Sequence, residues 1–496
     1  MTPVTDLPTL AQGIALALYA LCQAGLVVYS SHRWPMLLGA GPAPAPLAPW
    51  WEPGAEPRVL VQLPVFEEPA VVSRLVAAAA ALDWPRDRLE IQLLDDSGDE
   101  TAAIGARAVA CARAQGVHAT HLRRRHRAGF KGGALAAGLA ASGAEFVAVF
   151  DADFLPGPDF LRRMLPSFAP AGVGLVQARW GHLNRDANRL TRAQAAMLDA
   201  HFLLEHAWRQ RMRRFMSFNG TAGVWRRACI ESAGGWSADT LTEDLDLSYR
   251  AQLAGWGFAF RPDVVVPAEL PVGMRAFRSQ QHRWAKGALQ TARKLLPRIA
   301  RARLPWATKL EAFLHLTANV TYPLLLALAL LLAPLVAGPR TFSPAWLPAL
   351  QLAIVAAGTL PVALFLGRGQ WRAGRRGARL AADTALALLL CGGLCWQLAR
   401  AVAEGIAGAR GEFVRTPKSG AEGGSRLQPR AIRSAGEGRR QGFPELALAA
   451  AFAPLAAFAG LIGKPAAMPF LLVLTAGLVW VGGAARAGAG AHDVGH

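Results

Sequence analysis

Three acidic clusters are the residues of this sequence that could carry chemistry at one site. They are Asp95-Asp96, Asp151-Ala152-Asp153 and Thr242-Glu243-Asp244. The first two clusters directly follow short apolar runs, which are typical of buried parallel strands. Because ligand sites in open α/β sheets form at the carboxyl ends of strands, we expect these carboxylates to share a pocket. So many negative charges in one pocket need a cation to neutralise them. The ligand that the sequence predicts is therefore the metal-bound diphosphate of a nucleotide-activated substrate.

Asp151 and Asp153 stand two residues apart after the predicted strand Glu145–Phe150. Side chains two apart point to the same side of an extended chain, and the two carboxylates repel each other unless a cation joins them. Oxygen ligands with no Cys or His nearby favour Mg²⁺ or Mn²⁺ over Zn²⁺. The alternative is a solvated loop after the strand, and we predict the metal site.

Asp95 and Asp96 follow the preceding strand and could accept hydrogen bonds from a base or a ribose. They could also cap the next helix, and both interpretations can hold together. Lys131 begins a predicted helix beside two glycines, where a phosphate can approach the backbone N–H groups. Pro64 and Glu68, at the end of the first strand, are assigned to the same edge of the sheet.

The third acidic cluster and a later Arg-Trp pair have two interpretations each. Asp244 is the best candidate for a general base, because an enclosed carboxylate can take a proton from an attacking hydroxyl. Its triplet could instead only cap the helix that follows. Arg283 can bind a diphosphate with two donors, and Trp284 can stack on a sugar ring. In a basic amphipathic helix the same pair is also typical of membrane-interface anchoring.

An alternation of strand and helix patterns must position these residues. Between residues 58 and 300 the pattern predicts repeated βαβ units, and hence a parallel sheet with right-handed crossovers. The predicted strands are Arg58–Leu63, Leu89–Leu94, Val117–Leu122, Glu145–Phe150 and Gly172–Gln177. The predicted helices are Ala70–Leu82, Thr101–Gln115 and Phe130–Ser142.

Composition indicates that a soluble domain is flanked by membrane segments. The chain has 496 residues, a charged fraction of 18% and a formal net charge of +19. No nucleic-acid-binding motif accompanies the positive charge, and much of it lies beside apolar spans, as expected for cytoplasmic loops. We therefore exclude a nucleic-acid partner and predict a lipid bilayer. Five cysteines without a CxxC pair argue against a disulfide framework and a zinc site.

Apolar stretches of about 20 residues, enough to cross a bilayer, occur at both ends of the chain. The predicted N-terminal one, Leu10–Tyr29, lacks the basic start of a signal peptide and is interpreted as an uncleaved anchor. Later ones are Ala312–Val336, Pro348–Leu366, Leu380–Leu398, Pro444–Ile462 and Pro465–Gly483. Basic residues flank Leu380–Leu398 on both sides, which favours an interfacial or re-entrant helix over a crossing. Five spans then place the N-terminus outside and the α/β domain in the cytoplasm.

Taken together, the motifs resemble those of processive membrane-bound family 2 glycosyltransferases, in the order D, DxD, TED and QxxRW. The likeness runs from about Val59 to Pro297. It looks closest to cellulose synthase-like mannan and glucan synthases, in which Gln280-Gln281-His282-Arg283-Trp284 also has its counterpart. Phe413 to Lys418 looks like the gating-loop motif of cellulose synthases.

The resemblance implies an α/β GT-A (Rossmann-like) cytoplasmic domain plus an α-helical transmembrane region. It implies Mg²⁺ or Mn²⁺ at Asp153 and Asp151, with Asp244, Glu243 and Asp153 as catalytic residues. The implied nucleotide-sugar-binding residues are Pro64, Glu68, Asp95, Asp96, Lys131 and Asp151. Gln280, Arg283 and Trp284 would line the acceptor and the pyrophosphate.

The implied domains are an anchor over residues 1–36, a GT-A domain over 50–300 and membrane and interfacial helices over 301–486. A gating-like loop is expected around 409–443, and a disordered tail over 487–496. Abundant Ala, Arg and Gly is typical of GC-rich bacteria, so we expect a bacterial inner membrane.

The leading functional prediction is an inverting enzyme that moves a hexose from a UDP- or GDP-linked donor to a growing β-linked polysaccharide. A glycolipid synthase, which adds one sugar to a membrane lipid, is the alternative. A transporter or scaffold that kept the fold is a third interpretation. Intact carboxylates at every catalytic position argue against this third one.

Overall fold

The structure is a computed structural model of the chain. It describes residues 7–41, 45, 47–337, 347–409, 420, 441–462 and 467–490. Most of the predicted gating-like loop therefore lies outside the described residues, and so do residues 491–496 of the predicted tail.

Two helices open the described part of the chain. They are α1 (Leu7–Ser31) and α2 (Arg33–Gly39), and together they provide an apolar stretch over Gln12–Gly39 that is long enough to cross a membrane. The predicted N-terminal span is therefore present as a helix, and it continues past Tyr29.

A seven-stranded sheet forms the centre of the α/β domain, with the order β3-β2-β1-β4-β6-β5-β7. Its strands are β1 (Val59–Val65), β2 (Leu89–Asp95), β3 (His118–Arg123), β4 (Phe146–Val149), β5 (Val173–His182), β6 (Gly223–Arg226) and β7 (Gly257–Ala268). The strands β1 to β4 pair in parallel, and the register places Val65 beside Asp95. This half matches the βαβ prediction because its apolar runs are buried strands.

The other half of the sheet differs from the parallel sheet that we predicted. Strand β6 runs antiparallel to both β4 and β5, so the sheet is mixed. The sequence pattern missed β6 because it has only four residues, and no crossover helix is needed before an antiparallel strand. Strand β7 was also missed, and it pairs in parallel with β5.

Helices cover both faces of the sheet. They are α3 (Val72–Ala80), α4 (Thr101–Ala114), α5 (Phe130–Ala140), α6 (Phe160–Met164), α7 (Arg189–Ala200), α8 (Ala207–Arg211), α9 (Arg227–Ser232) and α10 (Glu243–Leu253). One apolar core packs α3 and α4 against the sheet, and a second packs α5 and α10 against the opposite face. A π-helical segment, His201–His206, joins α7 to α8.

The remaining helices comprise the candidate membrane spans and the helices that link them to the sheet domain. They are α11 (Met274–Arg301), α12 (Trp306–Leu316), α13 (Thr321–Ala337), α14 (Leu347–Arg372), α15 (Gly377–Gly393), α16 (Cys395–Ala407), α17 (Phe443–Leu461) and α18 (Met468–Gly490). Shorter 3₁₀ turns lie at Arg86–Arg88, Leu165–Phe168 and Ala318–Val320. The first four residues of the predicted disordered tail, 487–490, belong to α18.

Among the described residues, five helical stretches are long and apolar enough to span a bilayer, which makes this a multi-pass membrane protein. After the first, they are Ala318–Val336, Ala349–Arg372, Phe443–Leu461 and Met468–Ala487. The predicted span from Ala312 is shorter than expected because α12 ends at Leu316 and carries the buried Glu311. Helices α15 and α16 are bent by 53° at Leu394, and α16 packs one face on α11. A bent pair of this kind is either a broken span or a re-entrant element, so the interfacial assignment of residues 380–398 stays a prediction.

Candidate active site

One cavity of about 1840 Å³ extends from the carboxyl ends of the parallel strands to the membrane helices. Its walls come from the sheet domain, from the α10–α11 region and from α16 to α18. The predicted site residues that line it are Pro64, Glu68, Asp96, Lys131, Asp151, Asp153, Glu243, Asp244, Gln280, Arg283 and Trp284. The structure thus brings together carboxylates that lie far apart in the sequence.

Asp95 is the predicted site residue that does not line this cavity. Its carboxylate is 1% exposed, accepts a hydrogen bond from the Ser97 backbone N–H at 2.8 Å and lies 2.9 Å from His121 Nε2. Burial by itself would raise the pKa of Asp95, but the hydrogen bonds from His121 and Ser97 outweigh it and hold that pKa below its usual value. In this geometry Asp95 shapes the loop that presents Asp96.

Asp96 faces the cavity and forms a two-point ion pair with Arg124, at 2.9 Å to Nε and 2.5 Å to Nη2. The sequence did not single out Arg124, because it lies in the basic run 123–127, a pattern that is more often a solvated patch. The alternative of helix capping is wrong for both aspartates, because α4 begins only at Thr101 and Asp99 accepts from that residue's N–H.

Pro64 and Glu68 lie at the carboxyl end of β1, on the same wall as Asp96. The Glu68 carboxylate is 7% exposed and accepts a hydrogen bond from the Phe66 backbone N–H at 3.3 Å. The Arg127 guanidinium stacks on the Phe66 ring at 3.5 Å from its centroid. A planar base could stack on such an aromatic and cationic wall, and the nucleotide contact stays a prediction.

Lys131 connects the two sides of the cavity. Its Nζ lies 2.5 Å from an oxygen of Asp151 and donates to the Gly220 carbonyl at 2.8 Å. Burial alone would lower the pKa of Lys131, but the charges of Asp151, Glu243 and Asp244 raise it above its usual value. The ammonium is therefore a fixed positive charge among the carboxylates, beside the place where a phosphate would approach α5.

Asp153 and Asp151 supply the oxygen donors of the predicted metal site. Both line the cavity, and Asp153 is 3% exposed. Within the described ranges, no group of three or more His, Cys, Asp or Glu side chains could hold a metal. Two carboxylates fit Mg²⁺ or Mn²⁺ all the same, since such ions commonly take one or two carboxylates and complete their shell with substrate phosphates and water.

Asp244 lies in the first turn of α10, directly across from Gly220. Burial and the neighbouring Glu243 carboxylate raise the pKa of Asp244 to about 7, against the opposing effects of Lys131 and Arg283. A carboxyl with that pKa can accept a proton near neutral pH. The capping alternative receives little support, because the N-cap residue Thr242 makes no side-chain capping hydrogen bond.

Gly220 permits the close approach of the loop to Asp244. Its φ is +82°, and a Cβ added there would lie 3.0 Å from Asp244 Oδ2 and 3.4 Å from Lys131 Nζ. The preceding Asn219 and the following Thr221 are also bonded into the site, Thr221 Oγ1 accepting from the Asp151 N–H at 2.9 Å. The segment Phe218 to Gly223 also belongs to the stretch that carries the family resemblance in the sequence.

Helix α11 closes the site from the membrane side with Gln280, Arg283 and Trp284. Burial lowers the pKa of the Arg283 guanidinium, while Glu243, Asp151 and Asp244 act against that change. Because Arg283 is held among these carboxylates, simple membrane-interface anchoring does not describe it. Close packing fixes the helix, since a Cβ on Gly287 would lie 2.6 Å from Thr242 Cγ2.

Comparison with known proteins identifies the domain that carries this site. A family described as "Glycosyltransferase like family 2" matches residues 57–287. Glucomannan 4-beta-mannosyltransferase 2 of Arabidopsis thaliana is 46% identical over 251 residues, which are 49% of this chain and 47% of that protein. Glucomannan 4-beta-mannosyltransferase 1 of Oryza sativa subsp. japonica is 45% identical over 253 residues, which are 50% of this chain and 48% of that protein. The chain spans about half the length of the curated relatives it matches.

A solved structure with the same fold is a mannosyltransferase of Pyrobaculum calidifontis, described in complex with GDP-Man and Mn²⁺. It superposes with a TM-score of 0.51 at 22% identity and covers 76% of this chain and 98% of its own. This similarity confirms the predicted GT-A fold. The match over residues 57–287 identifies a region of this chain, within the α/β domain, that is similar to the glycosyltransferase-like family 2.

Proposed function

We propose that this chain is a membrane-embedded, inverting mannosyltransferase that extends a β-linked polysaccharide from a nucleotide-activated mannose. The observation that carries the proposal is the convergence of Asp151, Asp153, Lys131, Asp244 and Arg283 on one cavity that continues to the membrane helices. The identity of 46% to a plant glucomannan 4-beta-mannosyltransferase supports mannose as the sugar. GDP-mannose is the donor that we propose, since the archaeal protein of the same fold is described with it.

The residues divide the reaction between a base and a leaving-group site. Asp244 takes the proton from the acceptor hydroxyl as its oxygen attacks the anomeric carbon. The new bond joins that carbon to the acceptor oxygen, and the bond to the diphosphate oxygen breaks with both electrons leaving on the diphosphate. Lys131 and Arg283 stabilise the charge that develops there. One displacement on the face opposite the leaving group inverts the anomeric configuration.

Asp153 and Asp151 would hold a divalent cation, which supplies charge neutralisation at the diphosphate when it is bound. Their oxygen-only donor set favours Mg²⁺ or Mn²⁺, and we propose Mn²⁺ as the first ion to test. Pro64, Glu68 and Asp96 would hold the nucleoside, with Asp95 supporting the loop. Glu243 would raise the basicity of Asp244, and Gln280 and Trp284 would hold the acceptor sugar.

We further propose that the α/β domain lies on the cytoplasmic side, because nucleotide sugars are available there and basic residues flank the spans. The assignment to a bacterial inner membrane rests on composition alone. The named relatives are plant proteins and do not support it.

Product analysis tests the proposal. The full chain, purified into lipid nanodiscs, is incubated with Mn²⁺ and radiolabelled GDP-mannose, UDP-glucose or UDP-N-acetylglucosamine in parallel. We expect incorporation from GDP-mannose into long chains that a β-mannanase digests. A single-sugar lipid product would favour the glycolipid alternative, and no transfer from any donor would contradict the proposal.

A further inference from the structure

A buried polar network lies between the sheet domain and the first membrane helix, apart from the residues assigned to the donor. Its members are charged or polar side chains from five separate segments. They are His32, Arg33, His201, Glu205, Arg209, Tyr249, Glu311 and His315. We call this set the interface network.

Arg209 is the centre of the interface network. Its side chain is 1% exposed, and it contacts Glu205 Oε1 at 2.6 Å and Glu311 Oε1 at 2.9 Å. Burial alone would raise the pKa values of both carboxyls and lower that of the guanidinium. The mutual pairing outweighs burial, holding the carboxyl pKa values below and the Arg209 pKa above their usual values. All three groups are therefore charged inside the protein.

One branch of the interface network ends on α10, the helix that carries Asp244. Arg209 Nη1 lies 3.2 Å from His315 Nε2, and Tyr249 Oη lies 2.7 Å from His315 Nδ1. Because a guanidinium can only donate, Nε2 is the acceptor, and we assign the ring hydrogen to Nδ1, which donates to Tyr249. Burial and the Arg209 charge lower the pKa of His315, which keeps the ring neutral. Tyr249 is fully buried and lies five residues after Asp244.

A second branch ends on the first membrane stretch. His32 Nε2 lies 2.5 Å from Glu311 Oε2, and Arg33 Nη1 lies 3.1 Å from Glu205 Oε2. Both residues belong to the apolar stretch Gln12–Gly39. The interface network thus joins the end of α1 to the catalytic helix through α12 and α8.

A third branch passes through the π-helix to the loop that contains Asn219 and lies beside Asp244. His201 Nδ1 lies 3.5 Å from Glu205, and Asn219 bridges His201 Nε2 at 2.9 Å and His206 Nε2 at 2.8 Å. Asn219 directly precedes Gly220, where an added Cβ would lie 3.0 Å from Asp244 Oδ2. A π-helix is a rare feature that is often found at functional sites. The network therefore contacts both elements that determine where Asp244 stands.

We propose that the interface network is a positioning device that sets the catalytic helix α10 against the first membrane helix. Buried ion pairs are weak evidence for stability, because apolar side chains of similar volume would often serve as well. They do fix geometry, and a displacement of about 1 Å at a reacting group can cost about 100-fold in rate. Tyr249, His315 and His32 are positioning residues that act through α10. The inference rests on the proposed function, since it assigns Asp244 as the base.

Tyr249→Phe removes the hydroxyl and leaves the ring, so it cuts the link between α10 and His315. In nanodiscs, we expect kcat for mannose transfer to fall by about tenfold and KM for GDP-mannose to stay within about twofold. The proposed nucleoside and metal contacts follow β1, β2 and β4, which the change does not touch. His315→Asn cuts the same link from α12 and replaces Tyr249→Phe if that variant does not fold.

Tyr29→Phe is the matched control. It removes a hydrogen bond of 2.8 Å between the first membrane helix and Thr317, two residues after His315 but outside the interface network. We expect kcat of this variant to stay within about twofold of the unaltered protein. A loss in the control equal to that of Tyr249→Phe would show that any weakened interface slows the enzyme, and would overturn the positioning role.

A double-mutant cycle tests whether the two ends are coupled. His32→Gln removes the imidazole that contacts Glu311, next to the first membrane helix. We expect its effect on kcat to overlap with that of Tyr249→Phe. The double variant should then be no slower than the slower single variant. Independent effects that multiply, or a change in KM for GDP-mannose alone, would overturn the proposal. Absence of transfer by the unaltered protein would instead refute the proposed function, so the two failures are distinguishable.

Discussion

Replacing Asp244 by Asn exchanges one carboxylate oxygen for an amide nitrogen, and so tests whether Asp244 is the general base. The amide keeps the shape of the side chain and can still accept the Leu245 N–H that now reaches Oδ1 at 2.8 Å. It cannot take a proton from an acceptor hydroxyl. General-base catalysis contributes about 10²- to 10⁴-fold, so we expect kcat to fall by at least about 100-fold. Binding of GDP in the presence of Mn²⁺ should persist, because Lys131, Asp96 and Asp153 remain.

The pKa of about 7 for Asp244 also fixes the direction of two pH effects. The base must be ionised, so kcat/KM of the unaltered protein should fall about tenfold per pH unit below pH 7. Its folded pKa stands above the ordinary value of 3.8, so the contribution of Asp244 to stability is fully present below pH 3.8 and is lost as pH rises through 7. Ionised Asp244 therefore costs stability at pH 8, by no more than about 4 kcal/mol. Asp244→Asn should melt at a higher temperature at pH 8 than the unaltered protein does, although it is inactive.

The assay is initial-rate incorporation of mannose in nanodiscs, with calorimetric GDP binding and thermal melting on the same samples. Asp239→Asn is the control, because Asp239 lies on the loop before α10 and pairs with Lys294 at the surface. This control should keep kcat within about threefold, as exposed ion pairs contribute little. A kcat for Asp244→Asn within threefold of the unaltered protein would refute its role as base.

Three further predictions follow from the same geometry. EDTA should abolish transfer and added Mn²⁺ should restore it, whereas full activity in chelator would exclude a metal at the two aspartates. Lys131→Met removes the ion pair with Asp151 and a charge beside the diphosphate, so kcat/KM for the donor should fall by at least about tenfold; an unchanged value would remove Lys131 from the site. Gly287→Val pushes a side chain into Thr242 and should destabilise the protein by about 1–3 kcal/mol and lower activity. Gly172→Ala, whose new methyl group enters open space away from the cavity, should have no effect on melting or rate.

The parallel half of the fold could be predicted because β1, β2 and β4 are buried, largely apolar runs. Val59–Val65 and Leu89–Asp95 show this pattern, and their register then places Asp95 beside Val65. Strand β6 could not be predicted, because four residues carry too little periodicity and its antiparallel direction depends on tertiary pairing. The residues of the membrane spans were predictable from hydropathy, but the bend at Leu394 was not.

The site shows the same division between local and tertiary information. Asp151, Asp153 and Asp244 could be selected from residue type and order, since each motif is a local signal. Asp95 shows the limit, because its sequence neighbour Asp96 faces the cavity while its own carboxylate turns to His121. The interface network could not be predicted at all. Its members His32 and Glu311 are 279 residues apart, and only the tertiary fold brings them together.

The central claim is that Asp153 and Asp151 would hold a divalent ion together with the diphosphate of the donor. The most direct measurement is an electron paramagnetic resonance titration of Mn²⁺ into the purified protein, with and without GDP. We predict tight Mn²⁺ binding only when GDP is present, with loss of that binding in Asp153→Asn and retention in Asp239→Asn. Mn²⁺ binding that is equally tight without GDP, or that survives Asp153→Asn, would contradict the account.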